Sequence, residues 1–177
     1  RNPEVAVRTA TVLSMVLVLG TASLGYAQQG APDGAWPAYG GDAGSTKYAP
    51  LDQINADNVD QLQVAWQWTT SDAPVLAENG LGAGAFKATP IMVHGVLYVR
   101  TSLSLVAAIV AATGEQLWEF DPRSWEAGRP TNLGFNTRGV AHWAGPEAEH
   151  IFVATGSAHL WAVDARTGRP VLNFGTD

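Results

Sequence analysis

The chain has 177 residues, a formal net charge of −6 and no cysteine. Its length suits one ordinary domain, and its acidic balance argues against a nucleic-acid footprint. Without cysteine this segment has no disulfides, thiolate metal sites, covalent haem attachment or cysteine nucleophiles.

Residues 1–27 read as an export signal. Arg1 and Arg8 give a basic start, residues 11–19 are an apolar run, and Gly25-Tyr26-Ala27 offers small residues where a signal peptidase cuts. The run is shorter than the ~20 residues a membrane-spanning helix needs. That favours a cleaved signal over an anchor and places the rest of the chain in the periplasm. Residues 28–35 form a polar linker. Residues 36–50 are dense in Gly, Pro and small polar residues, and predict an extended loop pinned by Trp36, Tyr39 and Tyr48. Asn55 is a good N-cap with Asp57 in the turn after it. Residues 56–62 therefore predict two short helical turns, with Val59 and Leu62 inward. Residues 63–69 place Val64, Trp66 and Trp68 on one face, the alternation of a half-buried strand. Residues 71–84 read as loop.

Residues 86–120 organise the rest of the chain. Turn signals at His94-Gly95, at residues 102–104 and at Thr113-Gly114 cut them into four apolar runs, 89–93, 96–101, 105–110 and 116–120. Short β-rich runs with such breaks form an antiparallel meander, and four strands make one propeller blade. Residues 121–136 are a long insertion, a length at which structureless loops are usually functional or disordered. Residues 138–143 begin a second meander, with a turn at Gly145-Pro146.

The second meander repeats the first. With Gly114 set on Gly168, 54 positions later, Leu97 falls on Ile151, Tyr98 on Phe152, Val99 on Val153, Thr101 on Thr155 and Ala108 on Ala162. A period of about 50 residues marks a propeller or another repeat array. One blade cannot bury both its faces alone, and closure takes ~4–8 blades. The expected fold class is all-β: a partial β-propeller over residues 36–177. The chain reads as an N-terminal fragment of a larger protein, incomplete at its C-terminus.

Residues 108–118 carry a packing logic. Thr113-Gly114 turns the chain into an outer strand, where Gly supplies a positive φ. Trp118 then returns to pack between neighbouring sheets, burying a large flat area. This phrase resembles the tryptophan docking motif of the quinoprotein dehydrogenases, which use pyrroloquinoline quinone (PQQ). The opening block is similar to the start of that family in Trp36, Tyr39, Gly40, Tyr48, Pro50, Leu51, Asn55, Leu62 and Trp66. So are Ala88-Thr89-Pro90, Trp118 with Pro122, Arg138-Gly139-Val140-Ala141 with Trp143, and Asp164-Ala165-Arg166-Thr167-Gly168. Any one phrase is weak; five in the family's order are specific. The methanol and ethanol branch has a vicinal disulfide just before the Arg-Gly phrase. Here that place holds Leu133-Gly134-Phe135-Asn136-Thr137, so the segment is closer to the glucose-dehydrogenase-like branch.

The resemblance implies an eight-bladed propeller with PQQ on its axis and Ca²⁺ bridging quinone and protein. It implies a dehydrogenase that oxidises a sugar or alcohol hydroxyl. Ubiquinone or cytochrome c would accept the electrons, which would bring the enzyme to the inner membrane. Two cofactor-binding residues are carried over. Arg138 matches the arginine beside the cofactor, where a planar, permanently charged fork suits carboxylates and quinone oxygens. Lys87 stands where the family often has Glu; the competing reading is a solvated charge on a strand edge. The catalytic Asp and the metal ligands are expected beyond Asp177. Val110 replaces the docking motif's Asp, Asp164 keeps it, and Leu172 replaces the second blade's Trp, so the lock between blades should differ at those places. His94, His142 and His159 have no metal-ligand spacing, and His142 reads as a core or loop histidine. There is no phosphate loop, GxGxxG after a strand, or GxSxG. Two rivals stand beside this reading: a non-enzymatic PQQ-repeat scaffold, and an inactive truncated fragment.

Overall fold

A computed structural model describes residues 30–31, 34–82, 84–131 and 134–175. The expected signal at residues 1–27 lies outside the described residues, as does half of the linker, residues 28–29 and 32–33. Among the described residues no helix is long and apolar enough to cross a membrane.

Two antiparallel meanders dominate. The first sheet is β1 (Ile91–Val93), β2 (Val96–Arg100), β3 (Val106–Val110) and β4 (Gln116–Phe120), in that order. The second is β5 (Ala141–Ala144), β6 (Glu149–Ala154) and β7 (Leu160–Asp164). Beyond β7 the chain turns back, and an isolated bridge joins Val163 to Pro170. A fourth strand thus begins where the first sheet has all of β4. Pro170 contributes no N–H to extend it.

Local chemistry sets these boundaries. His94 and Gly95 both have positive φ, 51° and 76°. That is the two-residue hairpin turn whose twist matches its strands, and it fixes Val93 opposite Val96. The pleat then sorts the faces. Ile91, Tyr98, Ala108 and Trp118 stand in one row across the first sheet. They pack with Ile151, Val153, Val163 and Ala165 of the second sheet in one core. On the opposite face Val99, Ala107 and Ile109 pack against Trp66 and Trp68. β3 is buried on both faces, which explains why its run is continuously apolar.

A tryptophan lock occurs twice in the same form. Trp66 donates from Nε1 to the Ala111 carbonyl at 2.9 Å, and its ring lies where a Cβ on Gly114 would be, 2.6 Å away. Trp118 donates to the Ala165 carbonyl at 3.0 Å, and its ring covers Gly168 at the same 2.6 Å. The turn glycines are needed for close approach as well as for their positive φ. Asp164 also behaves as expected: its Oδ1 accepts from the Thr167 N–H and hydroxyl, at 2.8 and 2.7 Å. The apolar Val110 leaves the first turn to backbone bonds from Thr113 and Gly114. Leu172, in place of a third tryptophan, is 96% exposed.

The N-terminal half corrects several expectations. Residues 71–84 are not all loop: Asp72–Glu78 is a helix, α1. Pro74 falls in its first turn, where a missing N–H costs nothing, and Val75 and Leu76 pack on Leu103, Leu105 and Phe135. Residues 56–62 hold only a 3-10 turn at Val59–Gln61. Val59 and Leu62 face outward instead of inward, although Asn55 does accept from the Asp57 N–H. Residues 63–69 run extended without a partner strand among the described residues. Trp66 and Trp68 pack as expected, but Val64 is exposed. Tyr39 and Tyr48 are exposed too. Trp36 pins the opening loop, through a two-way backbone bridge to Met92. The insertion at 121–136 contains a 3-10 turn, Ser124–Ala127. Asp121 shapes it by accepting from the Arg123 N–H and the Trp125 indole.

Candidate functional site

Lys87 and Arg138 lie 51 positions apart in sequence, and the fold sets their segments side by side. Each segment leads into the first strand of its sheet. The Thr89 N–H donates to the Arg138 carbonyl at 3.2 Å. A Cβ on Gly139 would stand 3.0 Å from the Thr89 carbonyl oxygen, and one on Gly84 would collide with the Phe135 carbonyl. Both contacts require glycine, so the Arg-Gly pairing seen in sequence has a steric cause. Both cations are solvent-facing. Among the described residues neither has an ion pair, since the pairs present are Arg123–Glu126 and those of His94 and His142 with Glu149.

What holds Arg138 in place is built underneath it. Phe135, three residues before, is buried with Leu103 and Leu105 of the β2–β3 loop, under α1 and Trp125. Asp72 of α1 ties that loop down: it is buried, and its Oδ2 accepts from the Ser102 hydroxyl at 2.6 Å and from the Leu103 N–H at 3.2 Å. Two polar groups next to Arg138 were not singled out by sequence reasoning. Asn136 Oδ1 and Thr137 Oγ1 are buried and unpartnered. Their only sequence signal was polarity immediately before the Arg-Gly phrase.

This edge therefore gathers two free cations, a buried hydroxyl and a buried amide with unused bonding capacity. It suits a ligand carrying carboxylates and ring oxygens. It does not suit a metal: no group of three His, Asp or Glu that could hold one occurs among the described residues. His142 and His94 both approach Glu149, at 3.4 and 3.5 Å, and His159 approaches Ser157. A cleft of about 610 Å³ opens at the other end of the sheets, lined by His94, Tyr98, Glu149, Asp164 and Arg166. Neither Lys87 nor Arg138 reaches it, so its size does not make it the site of these cations.

Comparison with known proteins meets this geometry from outside. Residues 36–177 match the family described as PQQ: glucose/ethanol/alcohol dehydrogenase, beta-propeller domain. The dehydrogenase subunit of an alcohol dehydrogenase (quinone) from Gluconobacter oxydans (strain 621H) is 35% identical over 83% of this chain and 18% of its own length. Quinoprotein glucose dehydrogenase A from Acinetobacter calcoaceticus is 29% identical over 82% of this chain and 20% of its own. The crystal structure of quinohemoprotein alcohol dehydrogenase from Comamonas testosteroni superposes with a TM-score of 0.67 at 34% identity, covering 82% of this chain and 20% of that one. The chain thus spans about a fifth of the length of the relatives it matches. Two sheets locked by repeated tryptophans and a family match over nearly all the described residues agree: the chain belongs to the PQQ-dependent glucose, ethanol and alcohol dehydrogenase family and forms part of its β-propeller.

Proposed function

We propose that this chain is the N-terminal part of a periplasmic PQQ-dependent dehydrogenase that oxidises a sugar or alcohol hydroxyl. The observation that carries the reading is the paired edge of Lys87 and Arg138, two exposed cations without an anionic partner among the described residues, beside the unpartnered Asn136 Oδ1 and Thr137 Oγ1. PQQ, when bound, supplies the electron sink that amino-acid side chains lack. The chain's own residues bind and orient. Arg138 offers a planar fork to carboxylate or quinone oxygens, Lys87 offers a point charge, and Thr137 offers a hydroxyl. Phe135 and the Asp72 bonds keep that set from drifting. The ligands that would hold Ca²⁺ and the catalytic base would come from other parts of the whole protein, and ubiquinone or cytochrome c would take the electrons.

The test uses the whole protein with PQQ and Ca²⁺. Dye reduction should depend on both and proceed with alcohols or aldoses. Arg138→Ala should weaken PQQ binding about 10- to 100-fold, the scale of a lost charge-assisted hydrogen bond, and Lys87→Met should weaken it less. An absence of PQQ-dependent oxidation across alcohols and aldoses would overturn the proposal and favour a non-enzymatic propeller scaffold.

A further inference from the structure

The row of residues that faces the second sheet ends, on β2, in a charge. Arg100 follows Tyr98 on the buried face and is only 9% exposed. Its Nη2 donates to Ser104 Oγ at 2.9 Å. Its Nε has no partner. None of the ion pairs among the described residues involves it. Asp72, the buried acid under the same loop, directs its Oδ2 to Ser102 and Leu103 instead. Burial alone pushes the Arg100 pKa down, and no neighbouring charge opposes or adds to that.

A guanidinium does not escape such a position by losing its proton. Left without a counter-charge, it keeps a desolvation penalty that no partner offsets. Next to it lies a cavity of about 20 Å³, lined by Arg100, Ser102, Ser104, Ser124, Asn136 and Gly156. It sits where the β2–β3 and β6–β7 loops meet the 121–136 insertion. The Ser102 and Ser124 hydroxyls already donate, to Asp72 and to the Leu103 carbonyl, so its free donors are the Arg100 Nε–H and the Ser104 hydroxyl, which accepts from Arg100 and keeps its own proton. The one unpartnered acceptor is Asn136 Oδ1. The Asn136 side chain makes no hydrogen bond among the described residues, so a half-turn of its amide presents N–H at no loss. The space holds about one water-sized sphere. That excludes phosphate, carboxylates and the cofactor itself.

We propose that this cavity binds a single monatomic anion of chloride size, as the counter-ion of Arg100. The anion would tie β2, through Arg100, to the 121–136 insertion, through Asn136. Asn136 is two residues before Arg138, so the same ion would stiffen the segment that presents that cation. The cavity shares Asn136 with the edge proposed for the cofactor, and its halide test is read without PQQ.

The experiment takes the whole protein in chloride-free gluconate at constant ionic strength. Adding chloride or bromide should raise the thermal midpoint to a plateau. Bromide-soaked crystals should give an anomalous peak within hydrogen-bonding distance of Arg100. In Arg100→Gln the halide affinity should fall about tenfold or more, the scale of a lost charged hydrogen bond. Should that variant fail to fold, the bromide peak in the unaltered protein still decides. A cavity holding only water, with no anomalous peak and no halide plateau, would overturn the proposal. So would an equal midpoint rise in Arg100→Gln, because the effect would then be general to salt.

Discussion

Asp164 and Val110 occupy the same place in successive repeats and do different work. The Asp164 carboxylate is held below its ordinary value of 3.8, first by the Thr167 hydroxyl, which outweighs the opposing effect of burial, and then, more weakly, by the Thr167 N–H and the charge on Arg166. The folded pKa is therefore the lower one. The stabilisation is complete above 3.8 and is lost as pH falls through the folded-state value. Because the group is mostly solvated, the contribution is small, about 1 kcal/mol or less. Asp164→Ala should lower the thermal midpoint slightly at neutral pH, and the deficit should narrow in acid below 3.8; a deficit independent of pH would mean the carboxylate's charge plays no part. Gly168 gives a larger effect. Its φ is 69°, and an added Cβ would press into the Trp118 ring. Gly168→Ala should cost about 2–4 kcal/mol, left-handed strain plus overpacking. Gly80→Ala is the control: φ is 62° and nothing lies within 4 Å of its Cβ position, so only strain of about 1 kcal/mol remains. Urea melts of the two variants separate the collision from the strain.

At the scale of elements, α1 and the β2–β3 loop form one unit whose purpose is to seat Phe135. Asp72→Ala would leave the Ser102 hydroxyl and the Leu103 N–H buried without an acceptor, a loss of about 2–4 kcal/mol. Asp72→Asn keeps one oxygen and should lose less. Both should raise the dissociation constant for PQQ in the order of their instability, since Phe135 positions Arg138; unchanged PQQ binding in Asp72→Ala would break that link. The sequence hides this unit for a physical reason. The helix has only seven residues, with Pro74 inside its first turn, too few to show a helical period, and it exists by packing Val75 and Leu76 rather than by propensity. The strands were legible because period-two alternation and two-residue turns are local. The Trp118 lock was legible because the tryptophan follows a Thr-Gly turn at short range, whereas the matching Trp66 lock was not, because Trp66 lies 48 residues before the Gly114 that it covers. Asn136 and Thr137 were not, because an unused hydrogen-bonding atom is a property of the surroundings that no single residue type reveals. Residues 63–69 show the converse: their alternation is real, but a strand also needs a neighbour to bond with.

For the whole molecule, the two faces of the second sheet have different fates. Ile151, Val153 and Val163 are fully buried against the first sheet. The pleat sends the alternate residues the other way. There Trp143, His150, Phe152 and Phe174 stack in sequence, with centroid separations of 5.3, 6.2 and 5.3 Å. Trp143 is 48% exposed, and Leu160 beside the ladder 57%. At the other end of the described chain Ile54, Leu62 and Val64 are exposed as well. Apolar patches of this kind mark surfaces that other protein covers, as the stacking of repeats requires. The 177-residue chain expressed alone should therefore self-associate. Light scattering should show mass rising with concentration, and a dye for apolar surface should bind strongly. Leu160→Lys places a charge on the ladder's margin without touching the buried face, so it should reduce association while the circular dichroism stays the same. In the whole protein the same change should instead destabilise, because there the lysine would be buried against a neighbouring sheet. Opposite signs in the two contexts are the outcome that a continuing propeller demands; a monodisperse monomer with no dye binding would mean that these two sheets are sufficient by themselves.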